Sequence, residues 1–207
     1  TRRGKAPKKS TPVTSISWCS APTAAAARRA QGSSLAAVSP YPTEKVLSCD
    51  PARFGSDKTV ILGLEDGREI LKESHSKWDT SKTAGRLLAL IRDEGYKILT
   101  IDDVGVGGGV TDKVREWAQV QAGHLRIVPF GGAGASSDPR FGNLRAQSYW
   151  ALREQLRVGG LKLTDSGGMF AQLSALKYHY ASNGKIFIES KEESKKRGLP
   201  SPDEADA

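Results

Sequence analysis

The sequence predicts a mixed α/β fold: a central sheet of three antiparallel strands followed by two parallel ones, with helices on both faces. Two observations carry the prediction. From Val46 onward, three short apolar runs follow one another with only turns between them, and Asp66-Gly67 is a tight hairpin signal. After them the pattern changes to helix, strand, helix, strand, in which crossover connections make parallel neighbours.

In chain order, residues 1–44 are set apart by composition. The start is basic, Ala24–Ala30 is alanine-rich with Arg28 and Arg29, and few large apolar residues are present. This stretch reads as a flexible basic arm or interdomain linker, with residues 45–207 as the folded domain. Val46–Cys49, Val60–Glu65 and Glu69–Glu73 read as the three antiparallel strands. Asp79 or Thr80 can cap a helix that runs to Glu94, with Leu87, Leu88, Leu90 and Ile91 on its apolar face and Gly95 to stop it. Ile98–Ile101 is the fourth strand. A helix through Val114 and Trp117 and a fifth strand, Leu125–Phe130, follow.

Gly131–Arg140 reads as a polar, mobile loop, and its Gly131–Ser137 part as a lid over a groove. Asn143–Val158 is amphipathic, and Tyr149, Trp150, Leu152 and Leu156 on it read as core residues. A short Leu161–Leu163 element, a helix from Met169 to Leu176 and a strand at Ile186–Glu189 come next. Lys191–Arg197 is a basic run that reads as a loop. At the end, Ser201 as N-cap, Pro202 and Glu204 make a capping box, so a helix begins there; it is so short that the native chain is expected to continue past Ala207.

Thirty-one lysines and arginines against 23 acidic residues give a net charge of +8, which favours a polyanionic partner, nucleic acid first. An anionic membrane comes second; no apolar run is long enough to span a bilayer, and the partners expected do not include a membrane. The basic start is followed by no apolar stretch of a signal peptide, and Cys19 and Cys49 make no disulfide framework; a reducing intracellular compartment fits. His75, His124 and His179 lack metal-ligand spacing.

Three carboxylate groups stand out by position. Asp50 ends the first strand, Asp102 with Asp103 ends the fourth, and Asp203 and Asp206 open the last helix. Singly, each has a plainer reading as a turn or cap residue. In a mixed sheet, however, the first and fourth strands can lie side by side and parallel, which brings Asp50 and Asp102 together. Acids that converge without basic partners repel one another, and hard divalent cations relieve that repulsion. Two such ions about 4 Å apart activate a water and stabilise the leaving oxygen of a phosphodiester. Gly105–Gly109 matches neither a Walker nor a dinucleotide fingerprint, and reads as a flexible turn that lets substrate approach the neighbouring acid.

Val-Leu-Ser-Cys-Asp-Pro-Ala-Arg-Phe-Gly-Ser-Asp-Lys-Thr from Val46, Thr-Ile-Asp-Asp-Val-Gly-Val-Gly-Gly-Gly-Val from Thr100, Phe141-Gly-Asn-Leu-Arg-Ala with Trp150, Ile-Glu-Ser-Lys ending at Lys191, and the final Ser-Pro-Asp-Glu-Ala-Asp-Ala occur in that order. Together they resemble the nuclease domain of the large terminase subunit of tailed bacteriophages. The resemblance implies a ribonuclease H-like fold and a metal-dependent endonuclease that cuts concatemeric viral DNA during packaging. It implies two Mg2+ or Mn2+ ions, with Asp50 bridging them, Asp102 as a second ligand (Asp103 if the register differs), and Asp203 or Asp206 as the last. Asp57 matches an acid that recurs in the first motif, as an auxiliary ligand. Lys191 matches a recurring lysine, a phosphate contact. Lys195, Lys196 and Arg197 of the same basic run, and Arg145 of the Phe141 motif, are the further candidate DNA contacts.

The implied partners are double-stranded DNA, an ATPase motor domain of the same native polypeptide, the small terminase subunit and the portal, in the host cell cytoplasm. This chain has no Walker sequence, so it resembles an excised nuclease domain. A junction resolvase or transposase-like nuclease of the same fold, and a non-catalytic DNA-binding module, are the alternative readings.

Overall fold

The computed structural model describes residues 13–15, 44–52, 57–121, 125–164 and 168–207. The central sheet has five strands: β2 (Val46–Asp50), β3 (Lys58–Glu65), β4 (Arg68–Ser76), β5 (Ile98–Asp102) and β6 (Arg126–Phe130). Their order is β4-β3-β2-β5-β6. The first three are antiparallel, whereas β5 is parallel to both β2 and β6, as the order of apolar runs implies.

Side-chain alternation divides the core into two. Leu47 and Cys49 of β2 and Ile61 of β3 pack under helices α1 (Thr80–Glu94) and α2 (Val106–Gln121), through Leu87, Leu90, Ile91, Val110 and Val114. Leu62, one residue on, turns to the other face. There Ala146 and Tyr149 of α3 (Leu144–Val158) pack with Met169 and Leu173 of α4 (Met169–Ala175). Helices therefore cover both faces of the sheet. Leu87 is fully buried, a gain of about 1.5–3 kcal/mol over leaving it exposed.

The ends of α1 follow the sequence signals. The Asp79 carboxylate accepts from the Lys82 N–H at 2.7 Å, and Gly95 closes the helix in the left-handed region, at φ 73°. Asn143 caps α3 in the same way.

Five features differ from the sequence expectation. A second sheet of order β1-β7-β8 joins Val13–Ser15 (β1), Lys177–Tyr180 (β7) and Ile186–Ile188 (β8); β7 is not among the expected strands, since the alternation in Lys-Tyr-His-Tyr lasts only four residues. Of the expected arm, β1 is thus a paired strand, while residues 1–12 and 16–43, including the Ala/Arg patch, lie outside the described residues. The basic run is not a loop: Lys191–Lys196 form helix α5, closed by a capping box between Ser190 and Glu193.

Gly107–Gly109 belong to the first turn of α2 rather than to a flexible turn. A Cβ on Gly107 would stand 1.6 Å from the Asp102 carbonyl oxygen, so only glycine lets the helix sit on the end of β5. Finally, 131–140 is fastened down. Leu144 and Arg145 donate their N–H groups to the carbonyls of Gly134 and Gly132, and Ser136 and Ser137 bond the Gln147 side chain on α3.

Candidate active site

Two acids come from the centre of the sheet. Asp50 and Asp102 each stand one residue past the register pair Cys49–Ile101 on adjacent parallel strands. Cys49 and Ile101 face the α1/α2 core, so alternation turns Asp50 and Asp102 to the opposite side, about 4.8 Å apart along the strand-pairing direction. Asp102 is also held by its own turn: Oδ1 accepts from the Val104 N–H at 3.1 Å. Asp103, the alternative, donates its N–H to the Phe130 carbonyl, and its buried Oδ1 has no hydrogen-bond partner.

Two more acids come from helix α6 (Asp203–Asp206), which is a single turn and cannot persist alone. Its neighbours hold it. The Gln172 side chain of α4 accepts from the N–H groups of Glu204 and Ala205, doing the work of a cap. Glu204 forms a buried ion pair with Lys72 of β4 at 2.5 Å. Asp203 Oδ2 accepts from the Lys58 N–H at 2.8 Å. Asp206 Oδ1 accepts from Arg145 Nη2 at 3.1 Å and from the Tyr149 hydroxyl. The expected Ser201 cap is absent: Pro202 occupies the cap position, the Ser201 hydroxyl is buried without a partner, and Glu204 is engaged with Lys72 instead.

Lys191, the first residue of α5, joins the two sets of acids. Its ammonium stands 3.5 Å from Asp50 Oδ2 and 3.0 Å from Asp206 Oδ2. The electrostatics follow from burial and crowding. Burial, reinforced by Asp206, Asp102 and Asp203 and opposed by Lys191, pushes the Asp50 carboxyl up from its ordinary 3.8 to about 7. Burial also pushes Asp206 up, but Arg145, Lys191 and the Tyr149 hydroxyl outweigh it, so this carboxyl lies below its usual value. Burial opposes charge on Lys191, yet Asp206 and Asp50 raise its pKa.

Two cavities meet at this point. A cleft of about 700 Å3 is lined by Asp50, Asp102, Asp206 and Lys191, with Phe130, Gly132 and Tyr149 on its walls. A smaller one, about 280 Å3, is lined by Asp50, Asp57, Asp203, Lys191 and Val106. Asp50 and Lys191 belong to both. Among the described residues, no three carboxylate, thiol or imidazole groups are gathered closely enough to hold a metal ion as they stand.

No family model and no curated protein matches the sequence. Solved structures do match its shape. The nuclease domain of the large terminase subunit gp2 of bacterial virus Sf6 superposes with a TM-score of 0.69 at 22% identity, over 79% of this chain and 85% of that one. The large terminase nuclease from thermophilic phage G20c superposes with a TM-score of 0.54 at 17% identity, over 71% and 72%. The chain has the fold of a phage terminase nuclease domain. A variant of the Sf6 domain was solved with manganese, and the G20c nuclease with bound magnesium.

Within this terminase-nuclease fold, Asp50, Asp102, Asp206 and Lys191 share the larger cleft, and Asp57 and Asp203 join Asp50 in the smaller. The basic candidates divide. Arg145 bonds Asp206 and, through Nη1 at 2.7 Å, the Glu189 carbonyl. Arg197 bonds the buried Glu189 carboxylate at 2.6 Å. Lys195 is exposed, 3.9 Å from Asp57, and Lys196 is exposed beside it. Tyr149 and Glu189 were not among the expected site residues. Tyr149 reads from the sequence as core, which it also is, and nothing local marks its hydroxyl as a partner of a residue so distant in the chain. No described helix is long and apolar enough to cross a membrane.

Proposed function

We propose that the chain is a metal-dependent DNA endonuclease that cuts concatemeric viral DNA during genome packaging, by two-metal-ion phosphodiester hydrolysis. The observation that supports this best is the meeting of Asp50, Asp102 and Asp206 around one cleft with the Lys191 ammonium among them. The donor set fits hard divalent cations: it is made of carboxylate oxygens only, and Asp206 Oδ2 is buried with no partner besides Lys191. Burial and the neighbouring Asp206, Asp102 and Asp203 raise the cost of ionising Asp50, which a cation would relieve. The lysine is a stand-in of lower charge.

In this reading Asp50, common to both cavities, would hold the Mg2+ or Mn2+ ions together with Asp102 and Asp206 in the larger cavity and with Asp203 and Asp57 in the smaller. When bound, such ions activate water and neutralise charge on the phosphodiester oxygens. Arg145 and Tyr149 hold Asp206 ionised and fixed in direction. Lys191 offsets the charge of Asp50 and Asp206 and would be placed to contact a substrate phosphate. Products would carry a 3′-hydroxyl and a 5′-phosphate. The implied partners are double-stranded DNA, an ATPase motor domain of the same native polypeptide, the small terminase subunit and the portal, inside the host cell.

The test is nicking of plasmid DNA in Mg2+ and Mn2+. Asp50→Asn is expected to lower the rate by on the order of 10³ or more, the several kcal/mol that metal activation supplies, with DNA binding retained. Cleavage at the wild-type rate by Asp50→Asn in Mn2+ overturns the assignment.

A further inference from the structure

The cleft walls carry acids and Arg145, and Arg197 is bonded to Glu189, which leaves open which surface holds the rest of a duplex. A row of lysines answers this. It begins at the smaller cavity. Lys58 opens β3, and its own N–H binds Asp203. Across the ladder Lys58 pairs with Ser76, so Lys77, the next residue, stands at the same end of the sheet. Trp78 follows, with the Lys82 ammonium 5.8 Å from its ring centroid and His75 stacked on it at 3.6 Å. Ser81 beside Lys82 accepts a hydrogen bond from Lys113 of α2, whose first turn also lines the smaller cavity through Val106.

All four lysines, 58, 77, 82 and 113, are exposed. Among the described residues, none has a carboxylate within ion-pair distance. The acids in this region have other tasks. Asp79 caps α1, Asp112 pairs with Arg115 at 3.6 Å, and Glu73 is held by Arg86 and His75. The Lys82 N–H, and then the nearby Lys113 and Lys82 ammonium groups, hold the Asp79 carboxyl down, so the ridge sets four ammonium groups against that one carboxylate and stays cationic up to the acid cluster. Lys195, 3.9 Å from Asp57 of the small cavity, and Lys196 are exposed as well.

The geometry points to this ridge, Lys58–Lys77–Lys82–Lys113, as the track for the phosphate backbone of duplex DNA beside the scissile bond. The inference rests on the nuclease reading and adds to it a location: the duplex leaves the acids across the end of β4 and the sides of α1 and α2 that Lys113 and Ser81 join. Lysine suits the task because its ammonium contacts phosphate as a point charge without reading sequence. Trp78 sets the height of Lys82 above the surface rather than stacking on a base, because its ring is already paired with His75 and packed against the core.

The experiment measures binding of a short labelled duplex by fluorescence anisotropy across a salt series. It uses the full chain carrying Asp50→Asn in EDTA, so that nothing is cut. The ridge variant carries Lys77→Glu, Lys82→Glu and Lys113→Glu. A control carries Lys97→Glu, Arg126→Glu and Lys162→Glu, exposed cations at the opposite end of the sheet, so both variants change net charge equally. The ridge variant is expected to bind at least about tenfold more weakly on any sequence and to lose about 2–3 from the slope of log K against log salt, close to one per phosphate contact. The control is expected to lose about threefold or less. A Lys→Gln version of the ridge triple, made alongside, carries the comparison if the reversal variant does not fold. Equal weakening by both triples, or none by the ridge, overturns the track while leaving the nuclease reading intact. Failure of the parent protein to bind duplex, together with failure of the wild type to cut it, overturns both.

Discussion

Asp50→Asn is expected to make the metal-free protein more stable, and the gain should depend on pH. The Asp50 carboxyl is raised from 3.8 to about 7, by burial first and then by Asp206, Asp102 and Asp203, over the opposing pull of Lys191. The folded pKa exceeds the unfolded one. The native state therefore holds this proton more tightly, and the associated stability is complete below pH 3.8 and gone once the pH passes about 7. At about 1.4 kcal/mol per pKa unit, ionised Asp50 costs the fold up to about 4 kcal/mol at pH 8. Relaxation and water entry reduce this, so about 2 kcal/mol is the expected gain on substitution.

Asparagine keeps the shape and removes the charge, and Lys191 retains Asp206. The assay is urea unfolding in EDTA at pH 8 and at pH 5, where the gain is expected to fall below half. Adding Mg2+ is expected to reverse the order. It stabilises the wild type, by about 2.7 kcal/mol at a hundred times its Kd, and leaves the variant nearly unmoved. An Asp50→Asn protein less stable than wild type at pH 8 in EDTA would refute the reasoning, because burial and the neighbouring acids would then not be opposing the charge on Asp50.

Three further outcomes are expected. Lys72→Met leaves the buried Glu204 carboxylate unpaired and should cost about 3–5 kcal/mol in chemical denaturation, most of it recovered in the Lys72→Met/Glu204→Met double variant. Gly107→Ala drives a methyl group into the Asp102 carbonyl and should cost roughly 1–3 kcal/mol or more; a thermal midpoint equal to wild type would show that α2 does not rest on β5 as described. Tyr149→Phe removes one hydrogen bond to Asp206 and should weaken Mn2+ binding by roughly 10–100-fold in calorimetric titration, with cleavage falling in step at subsaturating metal.

The sheet was legible because its signals are local. Apolar runs of strand length, the Asp66-Gly67 turn and the Asp79 and Gly95 caps define β2 to β5 and α1 within a residue or a few. The parallel pairing of β2 with β5, which joins Asp50 to Asp102, was available as a consequence of topology. What escaped was whatever depends on distant partners. Helix α6 is capped by Gln172 and pinned by Lys72, and no pattern near Ser201 announces either. The capping box lies instead at Ser190 and Glu193, inside a run whose charge masked its helical start. The inward turn of Arg145 and Arg197 was hidden for the same reason, since their partners, Asp206 and Glu189, are set by packing.

Asp50 and Asp102 hang from neighbouring rungs of one hydrogen-bonded ladder, so their separation is a backbone dimension. Side-chain volume changes in the flanking helices, which shift packed elements by fractions of an ångström, leave a strand-to-strand spacing almost untouched. The rim lysines act through long exposed side chains and can be exchanged one at a time. A protein organised this way can drift in what it grips while the gap between its two innermost acids stays constant.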